Sequence, residues 1–266
     1  MSDIEFSGVT KRFGHGADGF LALDRVDLKI VDKEFMAVVG PSGCGKTTLM
    51  RMAAGLEFPS SGRVTVGAKD VTAPGPERSV VFQQFALLPW KTVQENIGFG
   101  LMCKGLPRKE IETHVARYVE LMSLQGHEKS FPHMLSGGMQ QRVAIARAYV
   151  MQPEVLLMDE PFGALDAQTR IIMQEELIQL ARKNPRTVMF ITHGVEEAVY
   201  LADRVVVMGK KPGRILEVMN IKPTREAESW ESRPIEEVMD LPSFVHLRSH
   251  IWKLLKSKDA GGAGDH

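Results

Sequence analysis

Gly40-Pro41-Ser42-Gly43-Cys44-Gly45-Lys46-Thr47-Thr48 lies between an apolar run, Phe35-Met36-Ala37-Val38-Val39, and a helix-like run, Leu49-Met50-Arg51-Met52-Ala53-Ala54. Strand, glycine-rich loop and helix form the context in which the spacing G-x-x-x-x-G-K-[ST] marks a phosphate site. The glycines let successive backbone N–H groups turn inward and make an anion-binding concavity. The helix behind the loop adds the positive end of its dipole. Lys46 is placed to reach the β- and γ-phosphates of a nucleotide. Thr47 offers a hydroxyl to Mg²⁺, a hard cation that takes oxygen ligands. The nine residues are therefore expected to bind a nucleotide, which alone names no reaction.

Outward from that loop, the chain of 266 residues is 44% hydrophobic, a globular value that suits one or two domains. Lys+Arg and Asp+Glu both count 33, so the net charge is zero and there is no basic footprint for nucleic acid. Asp3 and Glu5 come early with no apolar stretch behind them, so no signal peptide is expected. No apolar run approaches the length of a membrane span, which predicts a soluble cytosolic chain that reaches a membrane only through a partner. The two cysteines, Cys44 and Cys103, lack zinc or redox spacing. Cys44 sits inside the phosphate loop, so thiol alkylation is expected to block nucleotide binding; a small apolar filler is the other reading.

Residues 4–31 read as strands, with Leu23, Val26, Leu28 and Ile30 partly alternating. Residues 15–19 read as a loop. Phe13 just before it is the aromatic expected to stack on an adenine ring, with Phe20 as its competitor. Ser79-Val80-Val81-Phe82 reads as a buried strand that ends at Gln83, whose amide could reach a metal or an attacking water. Phe85-Ala86-Leu87-Leu88-Pro89-Trp90 is too apolar for an ordinary loop and predicts a tucked segment or a partner surface. Helices are expected over 92–101 and 108–124.

Ser136 is a good N-cap before Gly137 and Gly138, and a buried helix follows, giving a second helix N-terminus suited to an anion. Val155-Leu156-Leu157-Met158 predicts a strand buried on both faces, as in a parallel sheet, with Asp159 and Glu160 at its ligand-binding end. Strand alternation points the two carboxylates opposite ways. Asp159 is expected to hold Mg²⁺ through water and Glu160 to polarise the attacking water. An amphipathic helix is expected over 167–183, stopped by Asn184-Pro185. Residues 187–191 predict another buried strand, ending at Thr192 and His193, a candidate for contacting a γ-phosphate. Residues 204–208 read as the last clear core strand and 222–242 as polar and proline-containing. Residues 243–256 predict a basic amphipathic helix with Phe244, Leu247, Ile251 and Leu254 on the stripe that packs on its own domain. The tail, 261–266, is expected to be disordered.

Over roughly residues 4–220 these segments resemble the ATP-binding subunit of an ATP-binding-cassette (ABC) transporter. The matching motifs are the Walker A loop at 40–48, Gln83 as the Q-loop and LSGGMQQR at 135–142 as the signature. VLLMDEP at 155–161 matches Walker B, Ala164-Leu165-Asp166 the D-loop and His193 the H-loop. The resemblance implies an α/β P-loop NTPase with a RecA-like core sheet, an antiparallel β subdomain and an inserted helical subdomain. It implies a nucleotide-binding core at 1–85 and 150–225, a helical signature subdomain at 86–149, and a C-terminal helix and tail at 226–266. ATP and Mg²⁺ are the implied cofactors. Glu160 would be the general base, with His193, Gln83 and Lys46 beside it, and Thr47, Gln83 and Asp159 would serve the metal. Such subunits work as pairs, here expected to be a homodimer, with the Walker A of one chain facing Ser136, Gly137 and Gly138 of the other. A transmembrane permease would dock near residues 85–90 on the cytoplasmic face of the inner membrane, with a solute-binding protein engaged indirectly.

Leu87-Leu88-Pro89-Trp90, Glu95-Asn96-Ile97 and LLMDEPFGALDAQTR look like the nitrate/sulfonate/taurine importers, as does the short C-terminus. One departure is Gly194, where these proteins usually carry Asp, which should loosen a local contact. A chromosome-structuring ATPase would need a long coiled coil between Walker A and signature, and the insert is too short. A GTPase would need N-K-x-D, which is missing. An exporter subunit stays open, because direction is not written in the cassette.

Overall fold

The computed structural model describes residues 2–14, 19–210 and 212–257. The expected loop at 15–18 and the expected disorder at 261–266 lie outside the described residues. In chain order the elements are β1 (Ile4–Phe13), β2 (Phe20–Ile30), β3 (Phe35–Val39), α1 (Lys46–Ala54), β4 (Ser61–Val66), β5 (Lys69–Asp70) and β6 (Arg78–Val81). Then come α2 (Val93–Cys103), α3 (Arg108–Leu121), α4 (Gly137–Tyr149), β7 (Val155–Asp159), α5 (Ala167–Lys183), β8 (Thr187–Thr192) and α6 (Val195–Leu201). The chain closes with β9 (Arg204–Gly209), β10 (Arg214–Asn220), α7 (Lys222–Ala227), α8 (Ile235–Met239) and α9 (Pro242–Ser257). They fall into two compact units, Met1–Gly75 with Arg186–His266, and Pro76–Pro185.

The first unit contains two sets of strands. One is antiparallel, in the order β2-β1-β4-β5. Its inner face is made by alternation: Ile4, Phe6 and Val9 on β1 and Val26, Leu28 and Ile30 on β2 are buried. In the other set β3 runs parallel to both β8 and β9, and β10 pairs antiparallel with β9. Every residue of β3 and β8 is buried, as a strand covered on both faces requires. Residues 204–208 form the last buried core strand, and β10 follows them half-exposed along most of its length, which blurred its hydrophobic signal.

The polar stretch 222–242 also carries more structure than its composition suggests. Arg225 is buried, donates to the carbonyls of Leu201 and Ala202 at 3.3 and 3.2 Å, and pairs with Asp203. Those carbonyls end α6, so a cation there satisfies groups that the helix leaves unpaired. Trp230 is fully buried against Phe244, ring centroids 5.6 Å apart. Phe244 and Ile251 seat α9 on its own unit, while Leu247 and Leu254 are only half-buried.

In the second unit β6 runs parallel to β7. Only Val81 of β6 is buried and Phe82 is 38% exposed, so the expected buried strand is a half-covered one. Helix α2 starts with a reciprocal cap in which Thr92 accepts from the Glu95 N–H and the Glu95 carboxylate accepts from the Thr92 N–H at 2.8 Å. Helix α5 runs over the expected span and ends at Asn184, where Pro185 prevents continuation.

Candidate nucleotide site

The phosphate loop leaves β3 at Gly40, and His193 leaves β8 at the same level. The two strands are adjacent and parallel with Val39 paired to Thr192, so the next residue of each strand emerges side by side. His193 Nδ1 lies 3.3 Å from the Gly40 carbonyl oxygen and 3.5 Å from Lys46 Nζ. The Lys46 ammonium donates to the carbonyls of Gly40 at 2.8 Å and Pro41 at 3.2 Å. A positive charge is thus held over the loop by the loop's own backbone.

Two glycines are structural requirements here. Gly45, the N-cap of α1, has φ 94°, and a Cβ there would meet Leu23 Cδ2 at 2.4 Å. Gly43 has φ 76° with nothing within 4 Å of its would-be Cβ, so its backbone faces open space. The N-cap Gly45 brings no side-chain oxygen to the start of α1. The loop therefore fits a phosphate group by curvature and by charge.

Cys44 is fully buried, and burial pushes its thiol pKa up. That burial agrees with the filler reading of Cys44, while Cys103 is exposed; whether alkylation of Cys44 blocks nucleotide binding is a matter for measurement. Phe13 ends β1 40% exposed, with the Lys11 ammonium 4.8 Å from its ring centroid, opposite Phe20, which is 48% exposed. Both rings present a face, so exposure does not separate the two candidates.

In the second unit Asp159 ends β7, buried, and Glu160 follows at φ 46°. Glu160 therefore lies past the end of β7 in a left-handed conformation, so strand alternation does not set its direction. A non-glycine residue in this region costs about 1–3 kcal/mol and is found where surrounding contacts over-determine it. Gln83 Nε2 donates to Glu160 Oε2 at 3.2 Å, and the Gly163 N–H donates to the Glu160 carbonyl at 3.1 Å. The Q-loop amide and the Walker B carboxylate are therefore joined within one unit.

The signature behaves as its cap predicted. Ser136 Oγ accepts from the Met139 N–H at 3.3 Å, and α4 begins at Gly137. A Cβ on Gly138 would stand 2.6 Å from Thr169 Cγ2, so this helix end packs directly on the start of α5. Asp166 of the D-loop caps α5, accepting from the Thr169 N–H at 3.0 Å and its hydroxyl at 2.7 Å, which holds the carboxyl below its ordinary pKa.

Gly194 is the N-cap of α6 and brings no side-chain cap. Thr192 fills the gap: its Oγ1 accepts from the Gly194 N–H at 2.9 Å and donates to the buried Glu197. Away from the phosphate loop, Arg147 and Asn96 hold the 85–90 segment through hydrogen bonds to its backbone. Asn96 is fully buried and donates to the carbonyls of Leu88, Lys91 and Thr92, while its own oxygen accepts from the Leu88 N–H. The available signal was a lone charge or amide inside an apolar helical stretch. Among the described residues no group of three or more His, Cys, Asp or Glu could hold a metal, and no helix is long and apolar enough to cross a membrane.

Residues 23–163 match the family model described as ABC transporter. An ABC transporter ATP-binding protein of Methanocaldococcus jannaschii is 50% identical over 96% of this chain and 92% of its own length. A bicarbonate transport ATP-binding protein of Synechococcus elongatus is 44% identical over 89% of this chain and 35% of its own. A taurine import ATP-binding protein of Rhizobium johnstonii is 43% identical over 90% of both chains. Among solved structures, the dimeric structure of a bacterial ABC transporter cassette superposes with TM-score 0.73 at 30% identity, over 82% of this chain and 98% of that one. The chain belongs to the ABC transporter family, as an ATP-binding and ATP-hydrolysing subunit with the P-loop NTPase fold.

Proposed function

We propose that the chain powers a membrane importer for a small anionic solute such as a sulfonate, taurine or nitrate. It would work as a pair of identical cassettes that close on ATP and reopen on hydrolysis. The observation that carries the importer reading is the likeness, over nine-tenths of both chains, to a taurine import ATP-binding protein. The bicarbonate relative is about as similar, so the solute class rests on the permease and the binding protein rather than on this chain.

The roles divide by chemistry. Lys46 and the backbone N–H groups of residues 40–48 bind and orient the phosphates. Phe13 stacks on the adenine ring. Glu160 takes a proton from the attacking water, Gln83 holds that carboxylate, and His193 orients the γ-phosphate. Thr47, Gln83 and Asp159 supply a hydroxyl, an amide oxygen and a carboxylate, the oxygen donors that suit Mg²⁺ when phosphate and water complete its shell; bound there, the ion would neutralise phosphate charge. Ser136, Gly137 and Gly138 serve the ATP of the partner cassette.

In this reading residues 1–85 and 150–225 form the nucleotide-binding core, 86–149 the signature subdomain and 226–266 a C-terminal extension. The permease docks near residues 85–90, where Trp90 is 70% exposed. A large exposed aromatic side chain on a segment fixed from behind suits a protein contact. A solute-binding protein acts through that permease, and the chain sits peripherally on the cytoplasmic face of the inner membrane. The test is to extract the tagged chain from native membranes in mild detergent. A co-purifying polytopic permease, with this chain as the only ATPase and with ATPase activity raised by an anionic solute, is the expected result. A complex without a membrane protein refutes the reading.

A further inference from the structure

Arg147 is the one charged side chain in the stretch from Val143 to Val150. It does not point to an acid. Its guanidinium donates to two backbone carbonyls, Nη1 to Ala86 at 2.7 Å and Nη2 to Phe85 at 3.0 Å. Burial pushes its pKa below the ordinary arginine value, so the group is substantially withdrawn from water. A half-buried cation on an apolar stretch of helix costs stability unless its hydrogen bonds fix something.

What it fixes is the start of the 85–90 segment. Ala86 stands at φ 48°, a conformation that a non-glycine residue holds only under constraint. The far end of the segment is held separately, by Asn96 of α2. Arg147 itself lies on the helix that begins at Gly137, about 15 Å along a rigid rod. The other end of that rod is tied to α5 at two points. Gly138 lies against Thr169, and Arg142 Nη2 donates to Glu176 Oε1 at 2.7 Å.

We propose that Arg147 is a positioning residue which makes α4 a strut between the 85–90 segment and the signature. A shift of that segment would then move Gly137 and Gly138 with it. The proposal rests on the reading that the signature engages ATP. It adds that the engagement is felt at residue 90, because coupling between two sites is reciprocal.

The test uses the chain with all three of its tryptophans, Trp90, Trp230 and Trp252, replaced biosynthetically by 5-fluorotryptophan. The Trp90 resonance is assigned with Trp90→Phe, and Glu160→Gln keeps added ATP intact. ATP is expected to shift the Trp90 signal. Arg147→Met, matched in length but without donors, is expected to bind ATP within twofold of the parent and to shrink that shift at least fivefold. Arg147→Lys should retain an intermediate shift. Trp230, buried in the other unit, reports whether each variant is folded. A parent chain with no shift at Trp90, or an Arg147→Met chain with the full shift, overturns the proposal. A complex that assembles and couples normally after replacement of the whole 85–90 segment would refute the permease reading alone and leave the fluorine result standing.

Discussion

Two helix N-termini in this chain both offer N–H groups to phosphate, and they are built differently. Helix α1 starts at a left-handed glycine with no side chain to cap it, and Lys46 is its first residue. Helix α4 starts at Ser136 in extended conformation, and the serine hydroxyl already accepts from the Met139 N–H. The first end is a finished anion site inside its own unit, with a cation in place. The second is capped by its own serine, carries no acidic residue in its first turn, and packs Gly138 on the start of α5. In the proposed reading this difference divides the work: the first end binds phosphate within its own unit, and the second would complete a site of the partner cassette from outside.

The largest expected effect lies on the catalytic side of the comparison. Glu160→Gln should bind ATP normally and lose about 10²–10⁴-fold in kcat, the usual contribution of a general base. Single-turnover hydrolysis measures it, and near-normal turnover would remove Glu160 from the role. Next comes the packing of the second end. Gly138→Ala places a Cβ against Thr169 Cγ2, so ATP-driven association should weaken tenfold or more while nucleotide binding to the isolated chain persists. Thr169→Ser deletes that methyl group and keeps the hydroxyl bonded to Asp166, so the double variant should recover; no recovery would place the defect elsewhere.

A smaller effect is expected at the cap itself. Ser136→Ala should cost about 1 kcal/mol of stability by denaturant unfolding, the usual loss for a serine cap. The smallest test concerns the first end. Cys103 should react with iodoacetamide much faster than Cys44 near pH 8, because burial raises the Cys44 pKa and leaves little thiolate there. The Cys44 rate should rise as pH approaches that raised pKa. Equal rates by peptide mass mapping would mean that the loop opens readily.

Much of the site was legible because its chemistry needs particular residue types at fixed spacing. The glycines, Lys46, Asp159, Glu160 and the Ser136 cap all stand where local sequence put them. What the sequence hid was long-range. The companionship of Gly40 and His193 depends on the pairing of β3 with β8, 153 residues apart in sequence. The left-handed backbone at Glu160 falls on a residue type that does not announce one. Arg225 and Trp230 sit in a polar stretch whose few buried side chains form no periodic stripe. The exposed half of β6 and the edge strand β10 read poorly for the same reason, since partial burial leaves a weak hydrophobic pattern.

The most direct measurement of the central claim is complementation between the two ends. One chain carries Lys46→Ala, which removes the cation from the finished site, and the other carries Gly138→Ala. Sedimentation in ATP should show each variant alone as a monomer and the mixture as a heterodimer with one intact composite site. A mixture that stays monomeric, or a Gly138→Ala chain that dimerises alone as readily as the parent, would contradict the account.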